Sequence, residues 1–514
     1  MSTTHGFRGR ASSGQPRWRA QWPGIAAVAA VVGMMVTLAA QRASAPHRPA
    51  TVNADRQAAT PHAAAPLAAT PTASAATATP TPARLTLTRV PRNLPVEEQL
   101  QFVTGRSFFE DSWVRPGATT TLRDGLGPLF SARSCAACHQ GAGRSSITHP
   151  STFAAVSPHA LTLRFDDQDP AAQPGQLPLG TTWQAFANPA ARQPDKPSME
   201  GELQARASER RWQYPDGTQV SLLQHEYRLQ GAPASPGALS VRVAPGLDLA
   251  GRIAAVSTAA ILGGADPDDG DGDGISGRIH PQVAALGTGE AGRFGLKARH
   301  TGLRAQVAAA LQEDIGITSS VFPYESCGPA QTGCLLAPNG RGASVGGLPA
   351  DDPSPVYEIS DANLTALVNF LARLADPSAT EPLRSEPASQ GAELFVASGC
   401  AQCHVRSLAT DPSAGAGASV VLYSDLLLHD MGADLADTGP AAGQLGREWR
   451  TAPLANLRWR ARLSDEENYL HDGRARTVEE AVLWHGGEAA GARQRFAALP
   501  RADRQTLLDY VSSR

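Results

Sequence analysis

A five-residue pattern, Cys-x-x-Cys-His, occurs twice in the chain, as Cys135–His139 (the first motif) and as Cys400–His404 (the second motif). This is the attachment sequence of c-type haem, in which both thiols add covalently to haem vinyl groups and the adjacent imidazole binds the iron. A zinc ribbon would place its cysteine pairs roughly 15–20 residues apart, whereas these pairs are hundreds of residues apart. The sequence therefore predicts two covalent haems, held by Cys135, Cys138, His139, Cys400, Cys403 and His404.

The residues before the two motifs also repeat. Leu129-Phe130 precedes the first motif and Leu394-Phe395 precedes the second, with the same gap to the first cysteine. Both copies therefore read Leu-Phe-x-x-x-x-Cys-Ala-x-Cys-His. This repetition indicates two related haem modules. Gly and Pro are abundant and aromatic residues make up only 5% of the chain, so much of each module is predicted to be loop.

The first 45 residues have the order of an export signal. Several arginines precede an uncharged apolar run from Ile25 to Ala40, and the small residues Ala43–Ala45 follow it. The run is short for a full membrane span of about 20 residues, which favours a cleaved signal peptide over an uncleaved anchor in the inner membrane. Either form places the remainder in the periplasm or otherwise outside the cytoplasm. Residues 46–84, almost wholly Ala, Thr and Pro, predict a disordered linker.

Beyond the linker, a polar stretch with several prolines, Ala375–Pro387, separates two regions. We predict an N-terminal haem c domain over residues 85–380 and a C-terminal haem c domain over residues 381–514. The formal net charge of −3 shows no basic excess, so nucleic acid is not an expected partner. Cys327 and Cys334 lie outside both motifs, and their spacing would close a short loop. A disulfide between them suits an oxidising compartment, and two free thiols are the alternative.

Residues 266–277 form a dense acidic loop within the N-terminal domain. Asp269, Asp271 and Asp273 stand at alternating positions before Gly274, as in the first half of a calcium loop. Position 12 of such a loop would be His280 instead of the bidentate Glu, so the pattern is not a complete EF-hand. The loop predicts a Ca²⁺ site, and a solvated acidic turn is the alternative.

Periodicity predicts several regular elements. Thr477 with Glu480 has the form of a capping box and predicts the start of a helix. Apolar spacing predicts further helices at 97–109, 302–312, 364–374 and 389–397, a C-terminal helix with Leu507, Leu508 and Val511 on one face, and a short strand at 220–229.

Several of these stretches together resemble the di-haem oxidoreductase family of thiol-oxidoreductase-like peroxidases. They are Gly125–Phe130 with the first motif, Asp266–Gly277, Tyr423–Gly432, and Gly446–Thr451 with Leu470–Glu488. The resemblance extends from about Asn93 to the end of the chain. More distantly, the C-terminal half resembles bacterial di-haem cytochrome c peroxidases and the di-haem enzyme that matures methylamine dehydrogenase. That group implies a mainly α fold of two cytochrome-c-like haem domains with long loops and a few short strands, and a calcium ion between the haems.

The resemblance also implies that one haem reacts with peroxide while the other transfers electrons. The haem on His139 would be the reactive one. The haem on His404 would relay electrons, with His485 as its sixth ligand, where the related enzymes have Met or Tyr. Val478, Ala481, Val482 and His485 share one apolar helix face, which also aims His485 at the core. Met431 is the rival ligand, because Met commonly caps electron-transfer haems c.

Peroxide cleavage needs a group that moves a proton from one oxygen to the other. Asp266, Glu313 and Asp314 are the candidates, and a surface carboxylate is the alternative reading of each. The expected partners are peroxide and a small redox protein such as a cytochrome c as electron donor. Two other functions stay open: a pure electron carrier with both irons six-coordinate, and an oxidase that matures a partner protein.

Overall fold

The structure of the chain is a computed structural model. It describes residues 85–91, 94–120, 122–165, 179–188, 200–232, 239–329, 331–337, 357–377, 389–415, 417–438, 444–464 and 468–514. These all fall within one compact unit, Thr79–Arg514. The predicted signal at residues 1–45, the linker at 46–84 and the boundary at 380–381 lie outside the described residues. Among the described helices, none is both long enough and apolar enough to cross a bilayer.

Seven described α-helices precede the Ala375–Pro387 stretch and five follow it. The earlier ones are α1 (Val96–Glu110), α2 (Ala250–Ala255), α3 (Thr258–Leu262), α4 (Pro281–Ala285), α5 (Leu303–Ala310), α6 (Thr332–Leu335) and α7 (Asp361–Ala372). The later ones are α8 (Gln390–Ala397), α9 (Arg460–Leu463), α10 (Val478–Trp484), α11 (Ala490–Ala498) and α12 (Arg501–Ser512). The helices predicted from periodicity are present within a few residues of their expected bounds.

Hydroxyl side chains begin four of these helices, because they accept hydrogen bonds from otherwise unpaired N–H groups of the first turn. Ser257 caps α3, Ser360 caps α7, Ser389 caps α8 and Thr477 caps α10. The predicted start at Thr477 is confirmed: its hydroxyl accepts from the Glu480 N–H at 3.1 Å.

The described strands form five small antiparallel sheets. The strands are β1 (Leu129–Phe130), β2 (Ala154–Ala155), β3 (Leu161–Arg164), β4 (Phe186–Ala187), β5 (Glu202–Gln213), β6 (Gln219–Gln230), β7 (Ser240–Val243), β8 (Ser407–Ala409), β9 (Ser419–Val421), β10 (Leu428–Asp430) and β11 (Glu448–Arg450). The sheet orders are β1-β4, β2-β5-β6, β3-β7, β8-β9 and β10-β11. β5 and β6 pair over their full twelve-residue lengths, from Glu202 opposite Gln230 to Gln213 opposite Gln219.

The predicted fold class, mainly α with two cytochrome-c-like domains and a few short strands, is wrong. Helix accounts for 35% and strand for 17% of the structure, and the strands are spread over several sheets. The physical reason is the long β5–β6 hairpin. In the first half of β5, Leu203, Ala205 and Ala207 are buried while alternate residues face outward, which is the pattern of a one-sided strand.

Three large apolar clusters, and a small fourth one of Ala298, Leu428 and Leu445, hold the described residues together. The largest joins α1, α5 and α7, where Phe102 and Phe109 contact Phe370 with ring centroids 5.0 and 5.3 Å apart. Gly105 permits this approach, because an added Cβ would lie 2.1 Å from the Ala366 carbonyl oxygen.

The other two large clusters lie at opposite ends of the β5–β6 hairpin. One contains Leu203 with strands β3 and β7. The other contains Tyr214 and Leu222 together with α10, α11 and α12. The Tyr214 hydroxyl also donates to the Glu479 carboxylate at 2.7 Å. The hairpin therefore connects the region after the first motif to the helices that follow the second.

Candidate functional site

The two motifs have the same local backbone. Cys135–Ala137 and Cys400–Gln402 each form a 3₁₀ turn. The N–H of His139 donates to the Cys135 carbonyl at 2.9 Å, and the N–H of His404 donates to the Cys400 carbonyl at 3.0 Å. None of the four motif cysteines takes part in a disulfide. Each turn therefore presents two thiols and one imidazole in the same arrangement.

The identical Leu-Phe frame that precedes each motif has two different structures. Leu129-Phe130 is strand β1, paired with β4, whereas Leu394-Phe395 lies within helix α8. Pro128 explains part of this difference, because a proline restricts the residue before it and cannot donate in a helix. Ser389 instead starts a helix before the second copy. The sequence repeat therefore extends to the motif turn and not to the element that leads into it.

Both motif imidazoles are held by backbone carbonyls. His139 Nδ1 lies 2.8 Å from the Pro245 carbonyl oxygen, and His404 Nδ1 lies 3.0 Å from that of Tyr423. A carbonyl can only accept, so Nδ1 carries the proton and Nε2 keeps its lone pair. Burial lowers the pKa of each imidazole to about 4, so both are neutral near pH 7. A neutral imidazole with a carbonyl-bound Nδ1–H is the form that binds iron, so the residues present fit a haem at each motif.

Two of the predicted catalytic carboxylates lie on one turn beside the first motif. Glu313 and Asp314 belong to a π-helical turn, Leu311–Ile315, that continues α5. Such turns occur often at functional sites. The N–H groups of Ser131 and Ala132, just before the first motif, donate to the Asp314 carbonyl at 2.8 and 3.0 Å. This pairing fixes the turn against the segment that leads into Cys135.

The two carboxylates have different surroundings. Glu313 is buried and forms a two-pronged ion pair with Arg164, one hydrogen bond of which measures 2.7 Å. Although burial opposes it, the Arg164 guanidinium lowers the pKa of Glu313, which keeps the carboxylate ionised. Burial and the charge of Glu313 raise the pKa of Asp314 to about 7. Burial and the charge of Asp314 in turn raise the pKa of Cys135 and Cys138, which places Asp314 within electrostatic reach of the first motif.

A close contact of two glycines positions this turn. Gly316 follows Ile315 with φ of +73°, and an added Cβ would lie 2.7 Å from the Gly127 Cα and 2.8 Å from the Leu129 carbonyl oxygen. The Gly127 N–H donates to the Ile315 carbonyl at 3.1 Å. This approach of two backbones therefore explains Gly127 of the Gly125–Phe130 stretch, whereas Gly125 lies against Glu358.

His485 lies just beyond the end of helix α10, as its C-cap. Its Nδ1 lies 2.7 Å from the Ala481 carbonyl, so Nδ1–H donates and Nε2 keeps its lone pair. Burial lowers the pKa of His485, and the charge of His485 contributes to the low pKa of His404. The two imidazoles therefore lie within electrostatic reach. The rival ligand, Met431, packs against the same apolar cluster as Cys400.

A buried triad beside Cys403 was not predicted from the sequence. His429 Nε2 lies 2.9 Å from Asp425 and its Nδ1 lies 2.8 Å from Glu488. Cys403 Sγ lies 3.8 Å from the same Nδ1. Although burial opposes it, the hydrogen bonds to Asp425 and Glu488 raise the pKa of His429 to about 12, so the imidazole is charged. The only sequence signal was that Asp425 and His429 both lie in the family-like stretch Tyr423–Gly432.

The acidic loop brings together a different set of carboxylates from the predicted one. Oxygen atoms of Asp266, Asp269 and Asp271 lie within 4.8 Å of one another. Asp273 instead accepts from the Gln402 side chain at 2.8 Å. Asp266 also accepts from the Gly270 N–H at 2.9 Å, so this catalytic candidate belongs to the loop.

The loop is joined to the second motif by side chains. Gln402 lies inside that motif, and its side chain donates a hydrogen bond to Asp273. Ser276, at the far end of the loop, donates to Glu488 at 2.7 Å, and Glu488 in turn contacts His429. Elsewhere, Cys327 and Cys334 form a disulfide, with Cα atoms 5.9 Å apart.

Comparison with known proteins identifies the family of the chain. The family described as "Di-haem oxidoreductase, putative peroxidase" matches residues 239–514, more than half of the chain. The matched residues include the acidic loop, the Glu313–Asp314 turn, the second motif and His485, whereas the first motif precedes them. No curated protein and no solved structure matches the chain. The family name implies two haems, and the chain belongs to this di-haem oxidoreductase family.

Proposed function

We propose that the chain is an extracytoplasmic di-haem c-type oxidoreductase that reduces peroxide at the first motif and relays electrons through the second. The motif cysteines would hold both haems by thioether bonds, with His139 and His404 as proximal ligands. A small redox protein such as a cytochrome c would supply the electrons. The family supports an oxidoreductase with two haems, and the geometry supports this division of labour.

The observation that carries the proposal is an asymmetry between the two motifs. A carboxyl group with a pKa near neutrality, Asp314, lies within electrostatic reach of the first motif. An imidazole with a free Nε2, His485, lies within electrostatic reach of the second. A group that can both take and give a proton suits a reactive centre. A second imidazole suits a six-coordinate electron-transfer centre.

A haem supplies an iron that exchanges electrons with peroxide, and the chain supplies the proton chemistry. Asp314 in its carboxylate form takes a proton from one peroxide oxygen and returns it to the other. Glu313 cannot share this role, because Arg164 keeps it ionised and occupies its oxygen atoms. Glu313 instead raises the pKa of Asp314, which keeps that carboxyl near the working pH.

The acidic loop would bind Ca²⁺ through Asp266, Asp269 and Asp271, since calcium prefers carboxylate oxygens. Gln402 donates a hydrogen bond to Asp273, and Ser276 donates one to Glu488. A cation bound in the acidic loop would therefore stiffen the surroundings of the second motif. Chelation tests this part separately from the haem chemistry.

The purified ferric protein tests the proposal. We expect EPR to show one low-spin iron with two axial ligands and one iron with an open or weakly held position. Peroxide should then drive the oxidation of reduced cytochrome c. Two low-spin irons without turnover would overturn the proposal in favour of a pure electron carrier. A trapped oxidised state that reacts only with a protein partner would favour the maturation oxidase.

A further inference from the structure

A chain of hydrogen-bonded side chains lies on one face of strand β6. The Tyr227 hydroxyl lies 2.7 Å from His225 Nδ1, and His225 Nε2 lies 3.0 Å from His149 Nδ1. The His225 side chain is only 3% exposed, whereas His149 is half-buried. The two imidazoles are stacked with centroids 5.1 Å apart. Three titratable groups therefore run in a line from the interior towards solvent.

One set of proton positions satisfies the whole chain. The Tyr227 hydroxyl donates to His225 Nδ1, which leaves His225 Nε2–H to donate to His149 Nδ1. A phenol that loses an electron becomes a strong acid, and His225 is in place to take its proton. Asp472, 3.7 Å from His225 Nδ1 and paired with Arg474 at 2.9 Å, would stabilise the imidazolium that forms.

Tyr227 also lies close to the backbone segment that holds the imidazole of the first motif. The Tyr227 hydroxyl lies 3.4 Å from Asp472, whose neighbour His471 accepts through its carbonyl from the Val243 N–H at 2.8 Å. Two residues after Val243, the Pro245 carbonyl accepts from the imidazole of the first motif. Tyr227 and Val243 also pack in the same apolar cluster. The phenol can therefore give an electron to the first haem site through this packed region while its proton moves to His225.

We propose that Tyr227 is a redox-active tyrosine that serves the first haem site. After peroxide has oxidised that site, Tyr227 gives it one electron, and its O–H bond breaks as the proton moves to His225 Nδ1. His225 passes its Nε2 proton to His149, and a neutral tyrosyl radical remains. An external donor returns the electron, and the proton returns along the same imidazoles. This step uses one of the two oxidising equivalents of a peroxide and rests on the proposed function for that oxidant.

Rapid-freeze EPR of the full-length holoprotein tests this inference with two oxidants. The first is hydrogen peroxide. The second is flash-generated ruthenium(III) tris-bipyridine, which oxidises side chains without peroxide. We expect a tyrosyl signal in the wild type that Tyr227→Phe loses and that Tyr214→Phe retains, since the Tyr214 phenol bonds to a carboxylate and not to an imidazole. His225→Gln keeps an acceptor but not a proton relay, so the signal should form more slowly and show a larger solvent isotope effect.

The two oxidants separate the two proposals. A Tyr227-dependent signal with the ruthenium oxidant but none with peroxide would retain the redox-active tyrosine and overturn the peroxide chemistry. A signal that Tyr227→Phe leaves unchanged with both oxidants would overturn the inference, as would a wild type that gives no tyrosyl signal with either. Unchanged haem absorption and circular dichroism would show that each variant is folded and loaded.

Discussion

Replacement of Asp314 by Asn tests the acid–base assignment most directly. The change removes the titratable group while keeping nearly the same shape next to the first motif. A carboxyl with a pKa of about 7 is roughly half protonated at pH 7. At its ordinary value of 3.8, only about one molecule in 1,600 would be protonated at that pH. The buried position of Asp314 therefore populates both of the forms that the reaction uses.

We expect Asp314→Asn to lower kcat/KM for peroxide by about 10²- to 10³-fold, the usual effect of losing a general acid–base group. Because the carboxylate must first take a proton from peroxide, wild-type kcat/KM should rise with pH through about 7. The variant should lose this rise. Steady-state oxidation of reduced cytochrome c between pH 5 and pH 9 measures both effects.

Asp509→Asn is the matched control, since Asp509 is exposed on α12 and its carboxylate accepts a hydrogen bond from the exposed Gln505 side chain at 2.8 Å. It should keep wild-type kinetics. Ferric EPR and the reduced absorption spectrum of Asp314→Asn should match the wild type, which shows that both haems are bound. Activity of Asp314→Asn within about threefold of the wild type, or an unchanged pH profile, would refute the role of Asp314.

Two further predictions concern the second motif. His485→Ala should convert the iron at that motif from low spin to high spin in EPR, whereas Met431→Leu should leave it low spin; the reverse pair of spectra would assign the ligand to Met431. Removal of calcium with EGTA should slow reduction of the second haem by a donor, and added Ca²⁺ should restore it. Asp269→Asn should weaken the Ca²⁺ dependence, and Asp361→Asn, on the exposed start of α7, should not. An EGTA-insensitive protein would contradict the calcium assignment.

Local signals in the sequence predicted local structure well. α10 begins beside Thr477, the hydroxyl residue that was expected to cap it, because a cap depends on atoms within one helical turn. The motif turns are alike for the same reason, since their carbonyl contacts run between Cys135 and His139 and between Cys400 and His404. These features need only a few neighbouring residues, all of which the sequence shows.

The features that the sequence did not predict depend on distant pairings. Glu313 and Asp314 are adjacent and equally acidic in the sequence, yet Arg164, 149 residues from Glu313, makes them different. β6 matches the strand expected at 220–229, whereas β5 was missed because it carries many charged residues and only its pairing with β6 buries Leu203 and its neighbours. The Leu-Phe repeat misled for a related reason, since the same dipeptide is a strand when β4 is available to pair with it.

The last prediction concerns Gly316, whose close packing against Gly127 positions the turn that carries Asp314. Gly316→Ala would strain a backbone with φ of +73° and would also press a Cβ to within 2.8 Å of the Leu129 carbonyl oxygen. Gly217, in the β5–β6 turn, has φ of +85° and nothing within 4 Å of an added Cβ, so Gly217→Ala carries the backbone strain alone.

We expect Gly217→Ala to lower the free energy of unfolding by about 1 kcal/mol and Gly316→Ala by about 3 kcal/mol, measured by urea denaturation followed by circular dichroism. The difference between the two losses of unfolding free energy measures the cost of pressing a Cβ at residue 316 against Gly127. Since this contact fixes the turn that carries Asp314, Gly316→Ala should also lower peroxidase activity under conditions where the variant is fully folded, and Gly217→Ala should not. Equal losses of stability in the two variants would mean that the contact of the two glycines does not hold the turn.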